Sequence, residues 1–176
     1  MYAVENYSTQ VKVADYIREY VNVEEFLEKC KECPNYGKIW SCPPFDFDPY
    51  GYWKNFSELE IKAKKIIFKE PVTAEESRNI LTEIKDRMTA ELYESEGKYP
   101  GSISLSAGSC SMCREKGCTR PDGKACRHCD IIRYSIEAIG GDVGRTVSRL
   151  LGIDLEWVTE GEVPSYFVLV GGLLKK

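Results

Sequence analysis

The chain has 176 residues, of which 43% are hydrophobic and 30% charged, and its net charge is −4. That length suits a single domain spanning 1–176 with its own core, and the acidic balance argues against a nucleic-acid partner, for which a basic excess is expected. The longest apolar run, YFVLVGGLL, is too short to span a bilayer, and the N-terminus lacks the basic-then-apolar pattern of a secretory signal, so the expected location is cytoplasmic, with no membrane partner and with thiols kept reduced.

Val13, Tyr16, Ile17 and Tyr20 fall at helical spacing and predict an amphipathic first helix. Asn22 followed by Glu25 reads as a capping box that opens a short helix leading into Cys30. Residues 30–52 are rich in Pro, Gly, Asp and aromatics and read as a loop. AKKIIFKE, from Ala63, is a β-prone run. Thr73 and Glu76 form a second capping box, after which Ile80, Leu81, Ile84, Met88 and Leu92 make one apolar stripe that Gly97 and Pro100 terminate. SISLSA reads as a strand, IIRYSIEAIG as a helix, and Asp142 as the cap of a helix carrying Val143, Val147, Leu150 and Leu151. EWV and SYFVLVGGL close the chain as strands. The order predicts an α+β (or α/β) domain, a small mixed sheet packed with helices, with cysteine-rich loops at 30–52 and 108–130.

Eight cysteines concentrated in those loops require a chemical reason. Four disulfides would suit a secreted mini-protein with a poor core, and this chain has neither a secretory signal nor a poor core. Clustered thiolates suit soft or borderline metals, chiefly zinc and iron–sulfur clusters. The first motif, CKECPNYGKIWSCPPF, holds Cys30, Cys33 and Cys42 and lacks a fourth cysteine. Asp46 or Asp48 is a candidate oxygen ligand there, and Tyr36, Trp40, Phe45 and Phe47 are candidate shields against water. The second is spaced Cys110-x2-Cys113-x4-Cys118-x7-Cys126-x2-Cys129. A zinc reading takes Cys110, Cys113, Cys126 and Cys129, two CxxC knuckles separated by twelve residues, and leaves Cys118 unused. An iron–sulfur reading takes Cys110, Cys113, Cys118 and Cys126, whose short progressive spacing is ferredoxin-like, and Pro43 after Cys42 fits the same usage.

Arg114, Lys116, Arg120, Lys124, Arg127 and Arg133 surround the second motif, where cations would lower thiol pKa values and offset thiolate charge. His128, the sole histidine, lies between Cys126 and Cys129, so no separate histidine exists for a cysteine-nucleophile dyad. GGDVG is a turn and helix start rather than a nucleotide loop.

CKECPNYGKIWSCPPF, SAGSCSMC, GKACRH and RYSIEAIGGDV together resemble the family of predicted metal-binding proteins designated domain-of-unknown-function family 2284, from about Tyr20 to the closing PSYFVLVGGLL. The resemblance implies cysteine-based metal binding by Cys30, Cys33 and Cys42 and by Cys110, Cys113, Cys118 and Cys126. The family pattern carries proline where this chain has Cys129, which counts against the zinc ribbon. It implies no reaction. Three classes of function follow. The first is an iron–sulfur protein, with [4Fe–4S] on the four-cysteine set and a three-cysteine site open to a small-molecule substrate or a redox protein partner. The second is a zinc-stabilised interaction module. The third is a thiol–disulfide switch without metal.

Overall fold

The computed structural model describes residues 1–156 and 163–176. Four strands form one antiparallel sheet in the order β1-β2-β4-β3, with β1 Tyr2–Lys12, β2 Glu58–Phe68, β3 Ile103–Leu105 and β4 Tyr166–Lys175. Among the described residues five α-helices accompany it: α1 Val13–Tyr20, α2 Val23–Lys31, α3 Pro49–Lys54, α4 Ala74–Lys98 and α5 Val143–Leu151. The fold is therefore α+β. Its strands pair antiparallel throughout rather than as a mixed sheet. The expected helix over 131–140 does not form: residues 136–140 are turn, and Ser135 makes an isolated parallel bridge to Ser106.

The first strand was not legible. Its apolar residues do not alternate cleanly, because β1 is an edge strand paired on one side to β2 and half-exposed. α3 falls inside the expected loop at 30–52. Asp48 caps it through the amides of Tyr50 and Gly51 at 3.0 and 2.9 Å, and Pro49 stands in its first turn, where a missing N–H costs nothing. Of the expected strand EWV, Trp157 and Val158 lie outside the described residues.

Two apolar layers flank the sheet. Alternate residues Leu59, Ile61 and Ala63 of β2, fully buried, meet Tyr16 of α1, Trp53 of α3 and Val147 of α5. Tyr16 shares a buried hydrogen bond with Thr146 at 2.8 Å, and Trp53 Nε1 donates to the Ile139 carbonyl at 2.9 Å, so both large aromatics have partners. On the opposite face α4 lays the stripe of Ile84, Met88 and Leu92 inward, as its periodicity predicts, behind the capping box of Thr73 and Glu76. A Cβ at Gly171 would stand 2.6 Å from the Leu105 carbonyl oxygen and 3.1 Å from Leu92, so glycine lets the helix sit close on β4. Among the described residues no helix is long and apolar enough to cross a membrane.

The turn at 135–141 is fastened to the α1–α2 junction. Asn22 N–H donates to the Gly140 carbonyl, and Asp142 N–H to the Tyr20 carbonyl, at 2.8 and 2.7 Å. Gly140 has φ +88°, and a Cβ there would meet Val23 Cα at 2.7 Å. Gly140→Ala is expected to cost about 2–3 kcal/mol, from left-handed strain plus a backbone clash. Thr73→Ala, which loses one cap, is expected to cost about 1 kcal/mol. Urea denaturation checks the order of the two; equal costs would mean that the turn yields to the methyl group.

Candidate metal centre

All eight cysteines are free thiols. Cys30 lies in the last turn of α2, half-buried, and Cys33 follows with its N–H on the Cys30 carbonyl at 3.0 Å. Cys42 comes back toward them through the loop, its N–H held by Ile39 O at 3.0 Å. Burial pushes the Cys42 thiol up to about 11. The Ser41 hydroxyl and the Arg120 charge act the other way, and the neighbouring Cys33 and Cys30 add to the rise. Burial also raises Cys30, with contributions from Cys33 and from Glu137. The three thiols of the first motif thus share one electrostatic environment.

The second motif surrounds a cavity of about 470 Å³. Cys110, Cys113, Cys118 and Cys126 all line it, with Trp40 and His128 beside them. Burial raises the Cys110 thiol; the Met112 amide opposes this, and Cys126, Cys113 and Cys118 reinforce it. Cys129 is exposed, is absent from the cavity wall, and its Sγ lies 3.6 Å from Asp130 Oδ1. His128 donates its backbone N–H to Cys126 Sγ at 3.4 Å, a contact the sequence position alone did not suggest. Among the described residues no group of three or more His, Cys, Asp and Glu side chains is preassembled to hold a metal ion. The thiols ring a volume instead of converging on a point.

The two motifs form one layer. Cys110 N–H donates to the Ser41 hydroxyl at 2.8 Å, and Asn35 Nδ2 donates to Ser109 Oγ at 3.3 Å. Trp40 Nε1 is shared between Thr119 Oγ1 and Lys124 O, both at 3.2 Å. Arg120, stacked over Trp40, donates to the carbonyls of Ile39 at 2.9 Å, Cys42 at 2.5 Å and Pro44. Lys85 reaches in from α4 to donate to Ser109 O at 2.5 Å. Burial lowers its pKa, and the thiolates of Cys110 and Cys42 pull it back up.

Several expected contributors are engaged elsewhere. Asp48 caps α3 and Asp46 is exposed on the surface. Phe45 and Phe47 stack on each other at 4.7 Å and against Tyr134 at 5.0 and 5.1 Å, in an aromatic cluster joined to the core. Arg114 pairs with Asp86 at 3.0 Å, and Arg133 with Glu96 at 2.7 Å, so these two cations serve structure. Sequence reasoning missed Ser41, Lys85 and Glu137. A serine beside a cysteine carries no spacing signal, Lys85 lies outside the apolar stripe of its helix, and Glu137 fell on an expected helix.

A family described as predicted metal-binding protein (DUF2284) matches residues 16–174. No curated protein and no solved structure matches the chain.

Iodoacetamide mapping by mass spectrometry tests the environment of the metal-free thiols. Exposed Cys33 and Cys129 are expected to label first. Cys42 is expected to label last at pH 8, with a rate that climbs until the pH passes about 11. The sign follows from linkage. A thiol raised from 9.0 to about 11 keeps a proton that the unfolded chain has lost, so the metal-free fold loses stability as pH rises from 9.0 to about 11. Labelling of Cys42 as fast as Cys129 would contradict its burial.

Proposed function

Because the chain belongs to the DUF2284 family of predicted metal-binding proteins, we propose that it is an iron–sulfur protein of redox or electron-transfer function. Cys110, Cys113, Cys118 and Cys126 hold one [4Fe–4S] cluster, and Cys30, Cys33 and Cys42 hold three corners of a second. The observation that carries this reading is the cavity wall: it includes Cys118, which a zinc ribbon leaves idle, and excludes Cys129, which a zinc ribbon needs.

The donor set fits such a cluster. A tetrahedral zinc draws four sulfurs to about 2.3 Å from one point, whereas a four-iron cluster keeps its cysteines apart around a cube. A ring of four thiols about a cavity of about 470 Å³ suits the wider arrangement. When bound, the clusters supply reversible one-electron uptake. The chain's own residues hold and tune them. The amides of His128 and Met112 direct N–H groups toward the sulfurs of Cys126 and Cys110, which favours the charged, reduced side of a couple. Trp40 closes part of the wall against water. The Ser41–Cys110 contact keeps the two ligand sets in adjoining loops, as an electron relay requires. With clusters bound, Cys110, Cys113, Cys118 and Cys126 would hold the electron-transfer centre, and the Cys30, Cys33 and Cys42 site would be the one open to a redox protein or a small-molecule substrate.

Purification under strict anaerobiosis, with iron, sulfide and zinc analysis, tests this. The expectation is about eight iron and about eight sulfide per chain. Cys118→Ser is expected to remove about half of both, and Cys129→Ser to leave both unchanged. A colourless zinc protein that keeps its metal in Cys118→Ser and loses it in Cys129→Ser would sink the proposal.

A further inference from the structure

We propose that the outer edge of β1 pairs antiparallel with β1 of a second copy of this chain, with Tyr7 on the two-fold axis, so that two four-stranded sheets become one. The inference goes beyond the function proposed above and is independent of the metal that the cysteines hold. Its first support is the ladder. β1 is an end strand of the sheet and runs for 11 residues without proline, glycine or a break in register, from Tyr2 opposite Phe68 to Lys12 opposite Glu58. The hydrogen bonds that close this ladder are Lys69 N–H to the Met1 carbonyl at 3.0 Å and Val13 N–H to the Ser57 carbonyl at 2.9 Å. Bonded and unbonded pairs alternate along an antiparallel ladder. The odd-numbered residues of β1 therefore commit their amides and carbonyls to β2, and those of Val4, Asn6, Ser8 and Gln10 face outward. No backbone group among the described residues takes these amides. Sheet edges are ordinarily guarded by proline, a bulge or shortness. The opposite edge is short, since β3 has three residues, but β1 has none of these guards.

The second support is charge. With Tyr7 on the axis all 11 residues of the strand overlap their copies, and the outward-facing Asn6 and Ser8 stand opposite each other, as a bonded pair requires. Glu5 and Lys12 are the only charged residues of β1. Glu5 meets Thr9 of the second copy and Lys12 meets Tyr2, so no like charges face each other across the axis. The strand is thus its own electrostatic complement over its full length. The third support is access. α4 lies over β3 and β4. Between it and the β1 side of the sheet runs a groove of about 300 Å³ lined by Asn6, Ser8, Lys62, Lys64 and Glu91. On the other face Tyr7 and Val11 pack against the core, which holds the strand in place while Asn6, Ser8 and Gln10 stay exposed. A two-fold contact of this kind closes on itself, so it yields a dimer and no fibre.

The test uses the full chain, purified under nitrogen with reductant so that no intermolecular disulfide contributes. Sedimentation equilibrium is expected to show a monomer–dimer equilibrium. Residue-resolved hydrogen exchange is expected to slow at the amides of Val4, Asn6, Ser8 and Gln10 as protein concentration rises, with the amides of Glu5, Tyr7 and Thr9 unchanged. Ser8→Lys faces Asn6 of the second copy and is expected to leave the dimer in place. Adding Asn6→Lys sets two pairs of like charges across the axis and is expected to raise Kd on the order of tenfold over Ser8→Lys alone. Adding Asn6→Asp instead is expected to bring Kd back to or below the Ser8→Lys value. Both side chains are exposed, so these variants leave the core untouched, and the wild-type measurements need no variant to fold. A wild-type chain that stays monomeric at submillimolar concentration overturns the proposal. So does a dimer whose outward amides exchange equally fast at every concentration, because it forms through another surface. A monomer whose outward amides are already slow to exchange has its edge taken by another segment or a foreign strand, and equal Kd values for the Asn6→Lys and Asn6→Asp combinations exclude Tyr7 from the axis; either result overturns it.

Discussion

The hydrogen bond from the Cys110 amide to the Ser41 hydroxyl, 2.8 Å long and buried with Ser41 at 1% exposure, joins two loops that are remote in sequence. Together with the contacts from Asn35 to Ser109 and from Trp40 to Thr119, it ties the cysteine motifs to each other. With it, residues 30–48 and 108–126 become the two walls of one structure. Arg120 completes the fastening by donating to successive carbonyls of the opposite loop. A guanidinium suits that task because its fixed fork satisfies several acceptors at once and its charge persists at any physiological pH. Carbonyls in a loop outside any ladder need such donors, and their supply from a single side chain makes the loops stiff without regular secondary structure.

The sheet's part is to bring the loops to one place. The first loop leaves from the end of α2 and the second from β3, and these elements are tied through the turn at 135–141, which touches α1, α2 and α3. α4 lies across the other face and contributes Lys85 from its inner edge. α2, which carries Cys30, buries none of its own residues, and Phe45 and Phe47 of the first loop instead pack against the hydrophobic interior.

The sequence made the long helix, its capping box and the α+β class legible, because each has a local cause. The stripe of Ile84, Met88 and Leu92 has helical period, Thr73 and Glu76 satisfy each other across three residues, and the cysteine spacings are set by turn geometry. What remained hidden depends on non-local partners. β1 exists because β2 pairs with it, and IIRYSIEAIG is a turn because Ser135 bridges to Ser106 and Gly140 must pass Val23. Ser41 and Lys85 acquire their roles from residues 69 and 24 positions away, namely Cys110 and Ser109, and no periodicity records such pairings. Arg114 and Arg133 show the converse: a basic loop looked like compensation for thiolate charge, and specific carboxylates on α4 account for both.

Charge compensation instead comes from fewer, better-placed groups. Seven thiols in adjoining loops would accumulate negative charge on ionisation, and a partly desolvated site screens that charge poorly. Arg120 acts on Cys42 from the second loop, and Lys85 acts on Cys110 and Cys42 together from α4. A cation common to both sets couples them. When one set gains negative charge, the half-buried ammonium is held more firmly in its charged form, which stabilises thiolates of the other set as well. Burial lowers the Lys85 pKa, and Cys110 and Cys42 both act to raise it, so the same ammonium is linked to both sets. The two cysteine motifs are therefore one electrostatic unit, and the lysine on the otherwise ordinary α4 is its hinge.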